Sequence, residues 1–233
     1  MTNKLRLAAT DRLAALEPFR SLIPFDPYTA SFELVAKRVQ LLSTGQRKEL
    51  LLGCRKLLSE SRLRRMETVR VAATKILVAL VPESSDTIRH WIRSKPTADN
   101  CEVQFSLFCF LGYLPLLPSA LGLKEELPAL LEWYLLNMRS DAASAAWMAG
   151  DLLGDHWELK YSLPILSKVA ETGRFAVGRL AAVHGIAHAL GRVTKSRTTV
   201  KTLTELLNRV KNTDRSGKVR QYARGVIIQP AAH

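Results

Sequence analysis

A repeat of helical segments within residues 127–193 constrains the fold of this chain more than any other feature. Leu127-Pro128 and Leu163-Pro164 lie 36 positions apart, and Ala146 and Ala182 keep the same spacing in the alanine-rich segments that follow. These segments read AASAAWMAGDLLG in the first unit and RLAAVHGIAHALG in the second. Helix pairs that recur with a period of this size are typical of α-solenoids, in which each pair buries its apolar face on its neighbours. The sequence therefore predicts an all-α fold.

Three segments are similar to the second helix of HEAT repeats, which commonly carries a Val-Arg pair, alanines and an Ala-Leu-Gly ending. They are Thr68–Leu80 (TVRVAATKILVAL), Arg179–Gly191 (RLAAVHGIAHALG) and Lys218–Ile227 (KVRQYARGVI). The Leu-Pro pairs resemble the first helix of such repeats, and the similarity covers roughly residues 50–228. The resemblance implies a right-handed α-solenoid of about five or six antiparallel helix pairs. Cys101–Leu114 departs from the pattern, because aromatic residues stand there where alanines are expected.

A solenoid of 233 residues with 47% hydrophobic content is expected to form one domain over residues 1–233, because a chain of this length buries a substantial core. Residues 1–45 are expected to form an atypical N-terminal cap, residues 46–228 the helical repeats and residues 229–233 a frayed tail. Apolar residues at helical spacing predict helices at Asn3–Leu16 and within Thr29–Leu42. Ser43 or Thr44 is expected to cap a helix through Leu58, and Ser59 or Ser61 the next helix, which ends at Pro82. Each Leu-Pro pair is expected to open a helix.

One uncharged stretch, Val103–Leu123, is long enough to cross a bilayer, for which about 20 apolar residues are needed. Pro115 and Pro118 would break such a helix, so a buried helix followed by a proline-rich turn is favoured. The N-terminal apolar residues are interrupted by charges, and the three cysteines lack metal-ligand spacing. We therefore expect a cytoplasmic protein with reduced thiols and no membrane partner.

The distribution of charge indicates an anionic partner. The net charge is +13, and residues 159–233 contain fourteen basic and three acidic residues, whereas residues 101–158 contain two basic and eight acidic ones. In a solenoid the second helices line the concave side, so basic residues that recur on them could form a stripe. The alternative is a solvated surface with partial ion pairing. The candidate residues for binding an anionic partner are Arg174, Arg179, Arg192, Lys195, Arg197, Lys201, Lys218, Arg220 and Arg224.

His184 and His188 are four positions apart on one predicted helix, a spacing that can present two imidazoles to a metal. The residues between them lack the catalytic glutamate of a zinc-protease helix. The repeat offers another interpretation, because it places His188 near Asp151 and Arg192 near Asp155. Hydrogen bonds or ion pairs between adjacent helices are therefore favoured, and we expect no metal and no other cofactor.

Trp147 and Asp151, one helical turn apart, resemble a feature of the HEAT-like alkylpurine DNA glycosylases, in which an aromatic residue and an aspartate face the damaged base. The resemblance implies that Asp151 stabilises the positive charge that develops on the sugar as the base leaves. The surrounding segment is acidic where DNA would approach, and the chain lacks a glycine-rich phosphate loop and a nucleophile elbow. We therefore favour a non-enzymatic scaffold that binds an acidic protein, ahead of nucleic acid, with no small-molecule substrate evident.

Overall fold

The structure is a computed structural model that describes residues 14–114, 122–123, 125–139, 143–193 and 197–228. These residues form helices and turns and contain no β-strand, which confirms the all-α prediction. No helix among them is both long and apolar enough to cross a membrane. Contacts along the chain divide it into two compact units, Met1–Pro115 and Leu116–His233. The prediction of one continuous domain stays a prediction.

Some sequence predictions fall outside the described residues. Most of the predicted helix Asn3–Leu16 lies there, as do the tail at residues 229–233, Lys195 and the two prolines expected to break the uncharged stretch. The helix in that stretch ends at Leu111, before the prolines, as the sequence predicts.

The first unit contains a 3-10 turn at Glu17–Phe19, followed by α1 (Phe32–Gln40), α2 (Thr44–Ser59), α3 (Ser61–Arg65), α4 (Glu67–Ala79), α5 (Ser85–Arg93) and α6 (Ala98–Leu111). A capping box starts α2, because the Ser43 hydroxyl accepts from the Gln46 amide while the Gln46 side chain accepts from the Ser43 amide. The predicted continuous helix up to Pro82 is divided into α3 and α4, since Met66 between them has an extended backbone.

Helix α4 is the central element of the first unit. It contacts α1, α2, α3, α5 and α6, and its apolar side chains, such as Val69 and Ile76, are fully buried. Two cationic side chains on α4 are also buried, and both are compensated. Arg70 pairs with Glu102 and Ser106, and Lys75 donates to three backbone carbonyls in residues 27–30. Burial lowers the pKa of Lys75, partly opposed by the nearby carboxylates of residues 26 and 33.

The second unit contains α7 (Glu126–Asn137), α8 (Ala143–Asp151), a π-helical segment (Leu152–His156), α9 (Leu159–Thr172), α10 (Ala176–Arg192), α11 (Arg197–Thr213) and α12 (Gly217–Ile228). Pro164 lies inside α9 rather than at its start. The helix begins earlier because the Glu158 carbonyl accepts hydrogen bonds from the amides of Tyr161 and Ser162. Leu127-Pro128 lies in the first turn of α7, where the missing amide hydrogen of proline is tolerated.

Helix α10 is central to the second unit and contacts α7, α8, the π-helical segment, α9, α11 and α12. Its small residues allow an unusually close approach to α8. A Cβ atom on Gly185 would lie 2.6 Å from the Gly150 carbonyl oxygen, and one on Gly150 would collide with the Ala181 carbonyl. The two backbones are therefore in direct contact, which brings the side chains beside these glycines within bonding distance of each other.

Three arginines in the HEAT-like segments make the same backbone contact. Nη1 of Arg70, Arg179 and Arg220 donates to the carbonyl oxygen six residues earlier, at 3.2, 2.8 and 2.5 Å. Arg179 and Arg220 therefore fix the starts of their helices to the loops before them, and Arg70 fixes the start of α4 to α3. Contacts between side chains also recur at separations of 35 to 38 residues, at Arg47–Glu83, Arg70–Ser106, Glu132–Lys168, Glu171–Arg209 and Arg179–Asp214.

Candidate functional site

A group of four polar side chains lies where α8 and the π-helical segment meet α10. Nε2 of His184 is 2.8 Å from Oδ1 of Asp151, and Nε2 of His188 is 3.7 Å from the same oxygen. The two Nε2 atoms are 3.2 Å apart. On its other side, Nδ1 of His188 lies 2.8 Å from Oδ2 of Asp155. Two carboxylates and two imidazoles thus form a continuous cluster, called the His–Asp cluster below.

Helix α12 and Trp147 complete the surroundings of the His–Asp cluster. The Tyr222 hydroxyl lies 2.7 Å from Nδ1 of His184. The Trp147 ring meets the His184 ring edge to face at a centroid distance of 4.3 Å and the Tyr222 ring at 5.7 Å. The imidazole of His184 is therefore held on three sides, by an aromatic ring, a hydroxyl and a carboxylate. Such contacts restrict the rotation of the imidazole and fix the direction of its Nε2 atom.

The predicted pairing between repeats is found for histidine but takes another form for arginine. His188 lies within reach of both aspartates, as the repeat spacing predicts. Arg192, expected beside Asp155, instead donates to the backbone carbonyls of Gly154 and Trp157 at 2.5 and 2.9 Å. These carbonyls lack hydrogen bonds within the helix because the π-helical segment ends there. The Arg192 guanidinium therefore caps the C-terminus of that segment.

Burial changes the acid–base properties of two groups next to the cluster. It lowers the pKa of His156, an effect that the carboxylate of Asp155 partly opposes. It also raises the pKa of the Tyr222 phenol, and the negative charge of Asp151 adds to that shift. Tyr222 therefore keeps its proton at neutral pH and can either donate to His184 or accept from it.

A cavity of about 720 Å³ lies between α10 and α12 and adjoins the His–Asp cluster. This volume is in the range of small-ligand and peptide side-chain sites. His188 and Asp155 line it together with two cationic side chains, Arg192 and Lys218. Much of the remaining wall is apolar or aromatic and is formed by Trp147, Leu180, Ala187, Leu190, Tyr222 and Val226.

The basic residues predicted to form one stripe differ in their burial and in their contacts. Arg179 is only 3% exposed and forms a two-pronged ion pair with Asp214 at 2.7 and 3.0 Å, so its charge lies inside the unit rather than on the surface. Arg220 is half-buried and donates to the backbone of Asp214. Arg174 is exposed and stacks over the Phe175 ring.

The other members of the predicted stripe lie at the surface. Lys201 is 3.9 Å from Glu205 in an exposed pair. Arg197, Lys218 and Arg224 are exposed and make no hydrogen bond or ion pair with the residues that the structure describes. Of the predicted set, Lys218 and Arg192 are the two that line the cavity, and Lys218 is the one whose charge remains available to a ligand there.

Asp151 and Trp147, the alternative catalytic residues, are close to the cavity but differ in access to it. Trp147 lines the cavity. Oδ1 of Asp151 is buried and faces the two imidazoles, with Nε2 of His184 at 2.8 Å. Tyr222 was not identified from the sequence as a site residue. Its separation of 38 residues from His184 follows the repeat period, which is the signal that could have identified it.

Comparison with known proteins returns no relative for this chain: no family model, no curated protein and no solved structure matches it.

Proposed function

We propose that the second unit is a non-enzymatic binding module whose cavity between α10 and α12 receives an acidic segment of a partner protein. The observation that carries the proposal is the mixed lining of this cavity. Leu180, Leu190 and Val226 can cover an apolar side chain, while Lys218 can interact with a carboxylate. A segment that alternates acidic and large apolar residues matches both properties.

The placement of the basic residues favours a protein partner over nucleic acid. A phosphate backbone is bound by several cations in series, each of which neutralises a phosphate and releases counterions. Arg179 is buried with Asp214 and Arg220 is bound to the backbone, so two members of the predicted stripe serve the fold. Lys218, which remains exposed, lines a cavity that also has apolar walls, and this combination suits a peptide better than a sugar-phosphate chain.

We further propose that the helices stack as a HEAT-like, right-handed α-solenoid of about five or six antiparallel pairs. Two observations support this arrangement within each unit. Contacts between side chains recur at separations of 35 to 38 residues, and the arginines of the HEAT-like segments repeat one backbone contact.

A HEAT-like DNA glycosylase with Asp151 as its carboxylate is the competing function. The geometry favours it less than binding, because Asp151 is not among the residues that line the cavity and its Oδ1 faces His184 at 2.8 Å. A carboxylate that stabilises a developing positive charge must reach that charge directly. Equal release of methylated bases by the wild type and Asp151→Asn would remove this alternative.

The binding proposal is tested by fluorescence anisotropy with labelled peptides. One peptide alternates Glu and Leu, and a matched peptide replaces each Glu by Gln. We expect the acidic peptide to bind more tightly, with an affinity that falls as salt is added. Lys218→Glu should weaken its binding by about tenfold or more, because the substitution places a like charge in the cavity. Lys48→Glu makes the same charge change on an exposed residue of the first unit and should have no effect.

Three results would contradict the proposal. They are equal binding of the acidic and glutamine peptides, equal weakening by Lys218→Glu and Lys48→Glu, and tighter binding of duplex DNA than of the acidic peptide at the same salt concentration. The last result would favour nucleic acid as the partner.

A further inference from the structure

Three potential metal-ligand atoms, contributed by two helices, converge on one point in the second unit. We propose that Asp151, His184 and His188 bind a divalent transition-metal ion through one carboxylate oxygen and two imidazole Nε2 atoms. These atoms all lie within 4.8 Å of one another. This proposal departs from the expectation of no metal, and it is independent of the proposed peptide ligand.

The distances between the three atoms match the coordination shell of such an ion. Zn²⁺ binds histidine nitrogen and carboxylate oxygen at about 2.0–2.2 Å, so a tetrahedral shell places neighbouring ligand atoms about 3.3–3.5 Å apart. The three observed distances are 2.8, 3.2 and 3.7 Å and lie on both sides of that value. An ion at their centre therefore requires only small movements of the side chains.

The groups behind the ligands orient them as they do in metal sites. A histidine that binds a metal through one ring nitrogen usually bonds a carboxylate, a carbonyl or water through the other. Nδ1 of His188 faces Asp155 at 2.8 Å, and Nδ1 of His184 faces the Tyr222 hydroxyl at 2.7 Å. Both Nε2 atoms are thereby directed toward Oδ1 of Asp151.

Electrostatics supplies an independent reason for a cation at this point. Asp155 favours the tautomer of His188 that carries its proton on Nδ1, so Nε2 presents a lone pair. That lone pair lies 3.2 Å from Nε2 of His184. Oδ1 of Asp151, a second acceptor, is buried and lies 3.7 Å from Nε2 of His188. Buried acceptors in such proximity are stabilised when a positive ion lies between them.

The ligand set specifies the class of metal. Two imidazoles and one carboxylate suit Zn²⁺, Fe²⁺ and neighbouring first-row ions, whereas Mg²⁺ and Ca²⁺ favour oxygen ligands. Three protein ligands leave at least one coordination position of such an ion to water or another ligand. Since His188 and Asp155 also line the cavity, the proposed metal site adjoins it.

Isothermal titration calorimetry of the full chain without a polyhistidine tag tests the proposal. After removal of metals with EDTA and buffer exchange, the protein is titrated with Zn²⁺ and separately with Mg²⁺. We expect one Zn²⁺ to bind per chain with a Kd of about 1 μM or lower, and no comparable binding of Mg²⁺. Asp151→Asn and His188→Gln should each weaken Zn²⁺ binding by at least about 100-fold. His90→Gln removes an exposed histidine of the first unit and should leave the affinity unchanged.

A second measurement needs only the wild type, so it stays informative if a variant fails to fold. In long-range ¹H–¹⁵N spectra of the histidine side chains, Zn²⁺ should shift the Nε2 resonances of two imidazoles. Absence of stoichiometric Zn²⁺ binding to the wild type would overturn the proposal. So would unchanged affinity in folded Asp151→Asn and His188→Gln, or Zn²⁺-dependent shifts confined to other histidines.

Discussion

Oδ2 of Asp155 lies 2.8 Å from Nδ1 of His188, so the carboxylate determines which ring nitrogen carries the proton. Asp155 follows the end of α8, whereas His188 lies on α10. The contact connects the π-helical segment to α10 and directs Nε2 of His188 toward Asp151. A side chain that touches no metal itself can in this way control the affinity of the proposed site.

Asp155→Asn is expected to weaken Zn²⁺ binding by about 10- to 100-fold without abolishing it. The amide keeps the size of the carboxylate but no longer favours one tautomer of His188, so the imidazole is oriented less well for the metal. Competition with a chromophoric chelator measures the change. Glu158→Gln, which neutralises an exposed acid paired with Lys160, is the control and should have no effect. An Asp155→Asn affinity equal to that of the control would show that this contact does not support the site.

Gly185→Ala is expected to destabilise the fold by about 1–3 kcal/mol and to weaken Zn²⁺ binding. The new methyl group would lie 2.6 Å from the Gly150 carbonyl oxygen, so α8 and α10 must move apart. Gly191→Ala is a matched control on the same helix, because a Cβ there has no neighbour within 4 Å. Its effect should be neutral or stabilising by up to about 1 kcal/mol. Urea unfolding compares the two variants, and equal stabilities would refute the close packing of these helices.

Asp214→Asn is expected to lower the free energy of unfolding by about 3–5 kcal/mol at neutral pH, because it leaves the buried guanidinium of Arg179 without its counter-charge. Burial alone would raise the pKa of Asp214, but hydrogen bonds from Arg179 and the Ser216 amide outweigh it and hold the pKa below its usual value. A depressed carboxyl pKa contributes stability that is complete above the ordinary pKa of about 3.9 and is lost as the pH falls through the lower, folded-state value.

The difference in unfolding free energy between wild type and Asp214→Asn should therefore be constant above about pH 5 and shrink below about pH 4. Denaturant unfolding at several pH values measures it. Glu171→Gln removes an exposed ion pair with Arg209. It should lower the free energy of unfolding by only about 0–1 kcal/mol. A pH-independent difference, or equal losses in the two variants, would contradict the assigned role of the Arg179–Asp214 pair.

Two arginines on α12 are expected to have different roles, which Arg220→Gln and Arg224→Gln test. The first substitution should affect stability and the second the binding of the acidic peptide. Arg220 donates to the Asp214 carbonyl and is half-buried, so its loss is expected to lower the unfolding free energy by about 1–3 kcal/mol. Arg224 is exposed, and its loss should change stability by less than about 0.5 kcal/mol. We expect Arg224→Gln to weaken acidic-peptide binding modestly and with a reduced salt dependence. Equal stability of both variants would refute the structural role of Arg220.

The sequence predicted those features that depend on local chemistry or on the repeat. Ser43, one of the two predicted N-cap residues, caps α2, because its hydroxyl accepts from a backbone amide that has no partner within the helix. The proximity of His188 to Asp151 followed from the repeat spacing, since residues one period apart lie on neighbouring helices.

Features that depend on backbone detail were not predictable in the same way. At the end of the π-helical segment, two backbone carbonyls accept hydrogen bonds from Arg192, which therefore does not pair with Asp155. The sequence contains no pattern that predicts a π-helical segment. The burial of Arg179 depends on Asp214, which lies in the loop before α12. From the sequence alone, Arg179 is indistinguishable from a surface cation, because its charge is the same in both environments.

Anomalous diffraction above the zinc absorption edge, from crystals of the full chain grown with one equivalent of Zn²⁺, tests the central claim most directly. We predict a peak within about 2.0–2.2 Å of Oδ1 of Asp151 and of the Nε2 atoms of His184 and His188. Crystals in which these three atoms adjoin no anomalous peak, while zinc occupies other positions, would contradict it.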